Sequence, residues 1–300
     1  MSAGASATRR RRRERIDPST WILLSPWILT LLVFIAYPFG FSFALSFFDY
    51  SPLAPDAARF VGAANYAEAL KDPLFWKALG NTLLFVFATI PFTTGLALLL
   101  ALALDRAFPG RAFFRAGFFL PTVVSIVVIS LVWKGLYAAE GPLSWVVRAF
   151  GGTPPSWLLD PATALPAIMA MDVWAASGYY MVIFLAGLKG ISAELYEAAE
   201  IEGASATQRF LHITLPLLQP TFLFVLVVNS IRSLQIFTEV FVMTRGGPLQ
   251  STTTSVYYLY EQAFYKFRLG YASSIAYLLF GLTLLIAIAQ VRWLKLEGPK

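Results

Sequence analysis

Glu197-Ala198-Ala199, then Gly203, then Ile213 and Leu215-Pro216, is the stretch from which the rest of this chain can be read. It is polar and helical in character, with long apolar runs on either side. Ser192 can N-cap a short helix, because its hydroxyl can take up a backbone N–H that has no partner within the helix. Ile191 and Tyr196 stand where a hydrophobic staple falls, and Glu194 in the first turn suits the helix dipole. Gly203 sits where a helix end calls for a residue free to adopt positive φ. Ser205-x-x-Gln208 reads as a capping box opening a second short helix, and Pro216 is tolerated in the first turn of the apolar segment that follows. The spacing thus predicts a helix, a glycine bend and a second helix. Ala198 and Ala199 leave a small-residue surface open to another protein, although an ordinary amphipathic interfacial helix accounts for the same pattern.

Working outward, 58% of the residues are hydrophobic and 13% are charged, against about 25% charged in an ordinary soluble domain. Mean hydropathy is +0.66. Each membrane span needs about 20 mostly apolar residues, and six such runs occur, near 21–48, 80–104, 114–138, 164–188, 216–243 and 269–292. The expected fold is an all-α membrane protein with six transmembrane helices, a basic tail over residues 1–20 and a transmembrane domain over 21–300 that carries the loop 190–216. The first run is too long for a signal-peptide core of about 7–15 residues, so it reads as an uncleaved span. Net charge is +6, much of it in Arg9 to Arg13 and Arg15. By the positive-inside rule that placement puts the N-terminus, the even-numbered connections and the C-terminus in the cytoplasm. Anionic membrane lipid rather than nucleic acid is the expected partner of such a tail. With no cysteine and His212 as the lone histidine, disulfides, thiolate metal sites and histidine-rich metal sites are excluded.

The order E-A-A, glycine six after the Glu, then I-x-L-P ten after the glycine, resembles the cytoplasmic coupling loop of ABC-importer permeases. The similarity extends over nearly the whole chain and is closest to the maltose-transporter-type branch. Supporting pieces are Tyr37-Pro38 and Ser46-Phe47 in the first span, Gly62-x-x-Asn65-Tyr66 after it, and Leu120-Pro121 and Trp133-Lys134-Gly135-Leu136 in the third. Gly246-Gly247-Pro248 with Ser251-Thr252-Thr253-Thr254 follows the fifth. The resemblance implies a permease subunit at a bacterial inner membrane, paired with a second homologous permease. A cytoplasmic ATPase dimer would bind the ATP and Mg, so this chain would carry no cofactor, and an extracytoplasmic solute-binding protein would deliver a carbohydrate. It places Glu197, Ala198, Ala199, Gly203, Ile213, Leu215 and Pro216 in ATPase coupling.

Ionisable and polar groups inside spans are expensive and mark cavities or partners. Asp172 and Tyr179 share one face of the fourth span, and Asn229, Arg232, Gln235 and Glu239 run along one face of the fifth. Matching to the family adds Ala175 and Ala176 in the fourth span, Ser233 in the fifth, and Thr122 and Ile126 in the third as substrate-contact positions. Asp172 paired with Arg232 purely for neutrality is the structural alternative. Arg232 also admits a phosphorylated polyol such as glycerol phosphate. Asp172 or Glu239 would suit an ion-coupled carrier, and a membrane enzyme acting on lipids is a third class. No H-E-x-x-H, G-x-S-x-G or phosphate-loop motif occurs, which argues against hydrolytic chemistry on this chain.

Overall fold

Among the described residues, five helical stretches are long and apolar enough to cross a bilayer: Ile22–Leu45, Pro73–Asp105, Ala164–Lys189, Gln219–Met243 and Leu269–Arg292. They are the first, second, fourth, fifth and sixth spans. Where the sequence reads as one continuous third span over 114–138, the chain instead forms two helices, Arg111–Val123 and Ile126–Leu136, set at 101° to each other. Val124 and Ser125 are extended at the corner. This computed structural model describes residues 18–296; the arginine tail and Lys300 lie outside the described residues. The only β-structure among them is a short antiparallel pair, β1 (Phe48–Asp49) and β2 (Arg59–Phe60).

The second and fourth spans form the most extensive helix pair. Ala97 and Ala101 lie one turn apart on the second span, both fully buried, against Ala176, Tyr180 and Phe184 of the fourth. Small residues at this spacing let backbones approach closely, which supplies packing energy where lipid supplies no hydrophobic drive. The third span crosses the fourth more tightly still. A Cβ on Gly178 would stand 1.9 Å from the Phe118 carbonyl oxygen, so the crossing requires glycine there. The first span has no buried residue in its membrane-length stretch and touches the sixth through Phe39, Phe43 and Tyr277.

Proline is accommodated in the same way at two places. Leu32–Ala36 and Phe210–Thr214 are single π-turns. Their closing bonds, Tyr37 N–H to Leu32 O and Leu215 N–H to Phe210 O, fall just before Pro38 and Pro216. Widening the ladder by one residue there absorbs the donor and the space that proline takes away.

Two motifs far apart in sequence meet at the end of the first span. Asn65 donates through Nδ2 to the carbonyls of Ser46 and Phe48, each at 2.9 Å, and the Tyr66 hydroxyl lies 2.7 Å from Ser46 Oγ. Nearby, Asp72 caps the second span by accepting from Leu74 N–H at 2.8 Å. Its other oxygen accepts from the hydroxyls of Tyr258 and, at 2.8 Å, Tyr271. Burial pushes the Asp72 carboxyl up, but the hydrogen bonds from Tyr258, Leu74 and Tyr271 outweigh burial and hold it below its usual range. A depressed folded-state value means that the contribution to stability is complete above the ordinary carboxylate range and is lost as pH falls through the lower value.

Two outcomes follow for purified protein. Gly178→Ala should lower thermal stability by about 1–3 kcal/mol through overpacking, while Gly281→Ala, whose Cβ meets nothing within 4 Å, should stay within about 0.5 kcal/mol of the parent; equal effects at the two sites would refute the tight crossing. Asp72→Ala should cost about 1 kcal/mol at neutral pH, as loss of a cap does, and the gap should narrow in melts below about pH 4. A gap constant from pH 7 to pH 3 would show that the ionised carboxylate is not what stabilises the cap.

Candidate functional site

Two helix breaks meet at one place. The third span breaks at Val124-Ser125. The fifth breaks between Gln219–Leu234 and Thr238–Met243. A cavity of about 470 Å³ opens beside the first break, bordered by Pro121, Thr122, Val124, Ala176, Tyr179 and Arg232. A smaller one of about 220 Å³ lies beside the second, bordered by Asp172, Arg232, Ser233, Gln235, Thr238 and Glu239. Arg232 and Ile126 border both. Non-helical backbone is tolerated at membrane depth where it lines a cavity or is buried in protein. The breaks therefore supply polar groups to a space that continuous helices would have sealed.

Arg232 lies in the last turn of Gln219–Leu234 and Glu239 in the first turn of Thr238–Met243, so each charge opposes the adjacent helix dipole. Arg232 Nη2 donates to Asp172 Oδ1 at 2.6 Å and stands 3.5 Å from Glu239 Oε1. The guanidinium thus ties the fourth span to both pieces of the fifth. Both carboxylates are buried, whereas the Arg232 side chain is 38% exposed, toward the cavities. Asp172 Oδ2 is buried with no hydrogen-bond partner among the described residues.

Most of the residues singled out from sequence come together here. Thr122, Ala176, Tyr179 and Arg232 border the larger cavity, with Ala175 and Ile126; Asp172, Ser233, Gln235 and Glu239 border the smaller. Asn229 does not line either. It is buried behind the wall, its Oδ1 accepting from Ser233 Oγ at 3.3 Å. The expected pairing of Asp172 with Arg232 is present, and it engages Glu239 as well. Tyr180 was missed. It is 1% exposed, borders the larger cavity and has a hydroxyl with no partner among the described residues.

The loop 190–216 has the geometry its sequence predicts. Ser192 accepts from Glu194 N–H at 3.3 Å at the head of Ala193–Ile201. That helix ends in a Schellman arrangement: Gly203 has φ +80°, its N–H bonds Glu200 O, and Ala204 N–H bonds Ala199 O. Ser205 and Gln208 close a reciprocal capping box. Instead of standing free, the second helix runs through the Phe210–Thr214 π-turn and Leu215–Leu217 toward the fifth span. Tyr196 and Thr214 share a hydrogen bond at 2.9 Å, and Arg209 pairs with Glu200 at 2.8 Å. Glu197, Ala198 and Leu195 are exposed, and Ile201 is 88% exposed. His212 Nδ1 lies 3.0 Å from Gln208 O, a helix-end contact.

Comparison with known proteins agrees with this architecture. Residues 94–294 match the family described as binding-protein-dependent transport system inner membrane component. The chain is 34% identical to the probable ABC transporter permease protein YesP of Bacillus subtilis, over 99% of this chain and 98% of that one. It is 32% identical to the lactose transport system permease protein LacF of Rhizobium radiobacter, over 95% and 97%. Its fold is similar to a chain of a bacterial alginate ABC transporter solved in complex with an alginate pentasaccharide-bound periplasmic protein. There the TM-score is 0.79 and the identity 22%, covering 91% of this chain and 92% of that chain.

Asp172→Ala would leave Arg232 with Glu239 alone. Breaking a fully buried pair costs about 3–5 kcal/mol; with Arg232 more than one-third exposed, screening reduces the expected loss to roughly 1–3 kcal/mol, read as a lowered melting temperature. Adding Arg232→Met should restore part of it. A double variant at least as unstable as the sum of the singles would show the two residues to be uncoupled.

Proposed function

Because the chain belongs to the binding-protein-dependent transport system inner membrane component family, we propose that it is the permease subunit of an ATP-driven importer whose cargo is a carbohydrate. The observation that carries the cargo assignment is the cavity pair at the two helix breaks. It combines an apolar and aromatic wall, from Pro121, Val124, Ala176 and Tyr179, with converging polar groups, Thr122, Ser233, Gln235 and the Arg232 cluster. Sugars need that mixture: ring faces that stack on apolar surface and hydroxyls that demand paired donors and acceptors. The relatives whose names state a cargo point the same way, lactose in one case and alginate in another.

In this reading residues 1–20 form a basic cytoplasmic tail and 21–300 the transmembrane domain, with both termini and the loop 190–216 in the cytoplasm. There the exposed face of Ala193–Ile201, with Glu197, Ala198 and Ile201, docks on one subunit of an ATPase dimer that binds the ATP and Mg. A second homologous permease covers the apolar surface that this chain leaves open, including the first span. A solute-binding protein delivers cargo at the opposite end, as the neighbouring alginate transporter has a sugar-bound periplasmic protein.

Movement of the docked helix has a direct mechanical route to the cavities. Tyr196–Thr214 and Glu200–Arg209 fasten it to the segment entering the fifth span, and the first piece of that span carries Arg232 in its last turn. Alternating access then requires two states in which Arg232 and the docked loop have different partners.

Gentle affinity purification with mass spectrometry tests the assembly. The expected result is a stoichiometric ATPase and a second permease, with vanadate-sensitive sugar uptake in reconstituted vesicles. Recovery of the chain alone, active without nucleotide, would refute the reading. Gly203→Val, disfavoured at positive φ, should abolish ATP-driven uptake while the spans remain inserted, and unimpaired uptake would remove the bend from the coupling path.

A further inference from the structure

Carboxyl groups outnumber cationic side chains at the two cavities. Among the described residues that border them, Arg232 is the one cation, and Asp172 and Glu239 are both carboxylates. Arg232 is already committed to both through Nη2, at 2.6 Å and 3.5 Å. An anion that took Arg232 from either carboxylate would leave that carboxylate buried and unpaired, which costs as much as the new pair supplies. An anion that left the cluster intact would meet like charge in a low-dielectric space. The unfilled capacity is for donors. Asp172 Oδ2, in a residue 1% exposed, has no partner among the described residues, and Glu239 stands at a distance from Arg232 longer than a strong charge-assisted bond.

We propose that the smaller cavity receives the hydrogen-bond-donating, non-anionic end of the carbohydrate, its hydroxyls or an amine, and that the site selects against uronate, sulfated and phosphorylated sugars. The inference rests on the carbohydrate reading above and narrows its cargo class. Hydroxyl or ammonium donors meet the Asp172 and Glu239 carboxylates where these residues border the cavity, and Gln235, Ser233 and Thr238 supply the neutral complement. The body of the sugar lies on the apolar wall of the larger cavity. Tyr180, whose hydroxyl is buried with no partner among the described residues, borders the same cavity. The phosphorylated polyol that Arg232 first brings to mind has no free positive charge to meet here.

The test is equilibrium binding to the complete importer in nanodiscs, without the solute-binding protein, so that only the membrane site is read. Three disaccharides of matched size serve as probes: one neutral, one of glucosamine units and one of uronate units. The expected order places the uronate at least about tenfold weaker than the other two, a discrimination of the size that like-charge juxtaposition produces. Glu239→Gln should narrow that gap and weaken the amine probe. A uronate that binds as tightly as the neutral sugar overturns the inference and leaves the carbohydrate reading standing. If Glu239→Gln folds and ranks the probes as the parent does, the assignment to this cavity is wrong; if it does not fold, the ranking by the parent protein decides. Failure of all three probes to bind, the neutral one included, overturns the carbohydrate reading itself.

Discussion

A peptide group inside a bilayer has no water to bond, so a helix that breaks there must give its freed donors and acceptors something else. This chain breaks two helices at membrane depth, at Val124-Ser125 in the third span and at Gln235 to Phe237 in the fifth, and it places the breaks side by side across Ile126 and Arg232. Much of the rest of the structure serves that juxtaposition. The Gly178 crossing brings the third span against the fourth. The alanine seam of the second span backs the fourth from the other side. Asp172 reaches from the fourth to the fifth. Each is a close contact that fixes the broken segments against the fourth span on one side, while Val123 and Val124 remain exposed on the other.

Arg232 is the joint of that arrangement. A guanidinium can hold two carboxylates at once because its donors form a fixed planar fork. Here it binds one carboxylate from the fourth span and one from the far side of the break in its own span. Its exposure toward the cavities matters as much as its bonds. A pair sealed from solvent would be a fixed structural element, whereas one that borders a cavity lies within reach of what enters.

Much of this was legible in the sequence, unevenly and for physical reasons. In the loop 190–216 the caps, the glycine bend and the capping box are legible, because they are local chemistry that follows from residue type and spacing; the Phe210–Thr214 π-turn and the Tyr196–Thr214 and Glu200–Arg209 contacts are not. Asp172, Arg232 and Glu239 stood out because charge is rare in a span and has few reasons to be there. The break in the third span was not legible. Val123-Val124-Ser125-Ile126-Val127 is as apolar as any continuous helix, and hydropathy does not sense backbone direction; Pro121 was visible, yet the corner comes after it. Tyr180 was missed for a related reason. Consecutive helical residues point about 100° apart, so choosing Tyr179 as the cavity residue argued against its neighbour, and only a cavity that wraps the helix admits both. Asn229 erred in the opposite direction, since sharing a helical face with Arg232 did not carry it past the wall.

Two of the three π-turns among the described residues, those ahead of Pro38 and Pro216, show how the same constraint links the ends of the molecule. Each lies immediately before a proline, and each lets a helix pass the missing donor without breaking. In the fifth span this matters for transmission. Were the chain broken at Pro216, motion of a loop that docks on an ATPase, as proposed, would dissipate at a hinge before reaching the membrane. With the ladder widened instead, and with Tyr196 and Glu200 fastening the loop to it, the chain is helical from Ala206 to Leu217, and one turn residue, Leu218, joins it to Gln219–Leu234. The next interruption is at Gln235 to Phe237, beside the smaller cavity. Under the proposed function, the chain is helical along most of the path that would carry force and broken beside the cavities that would hold cargo.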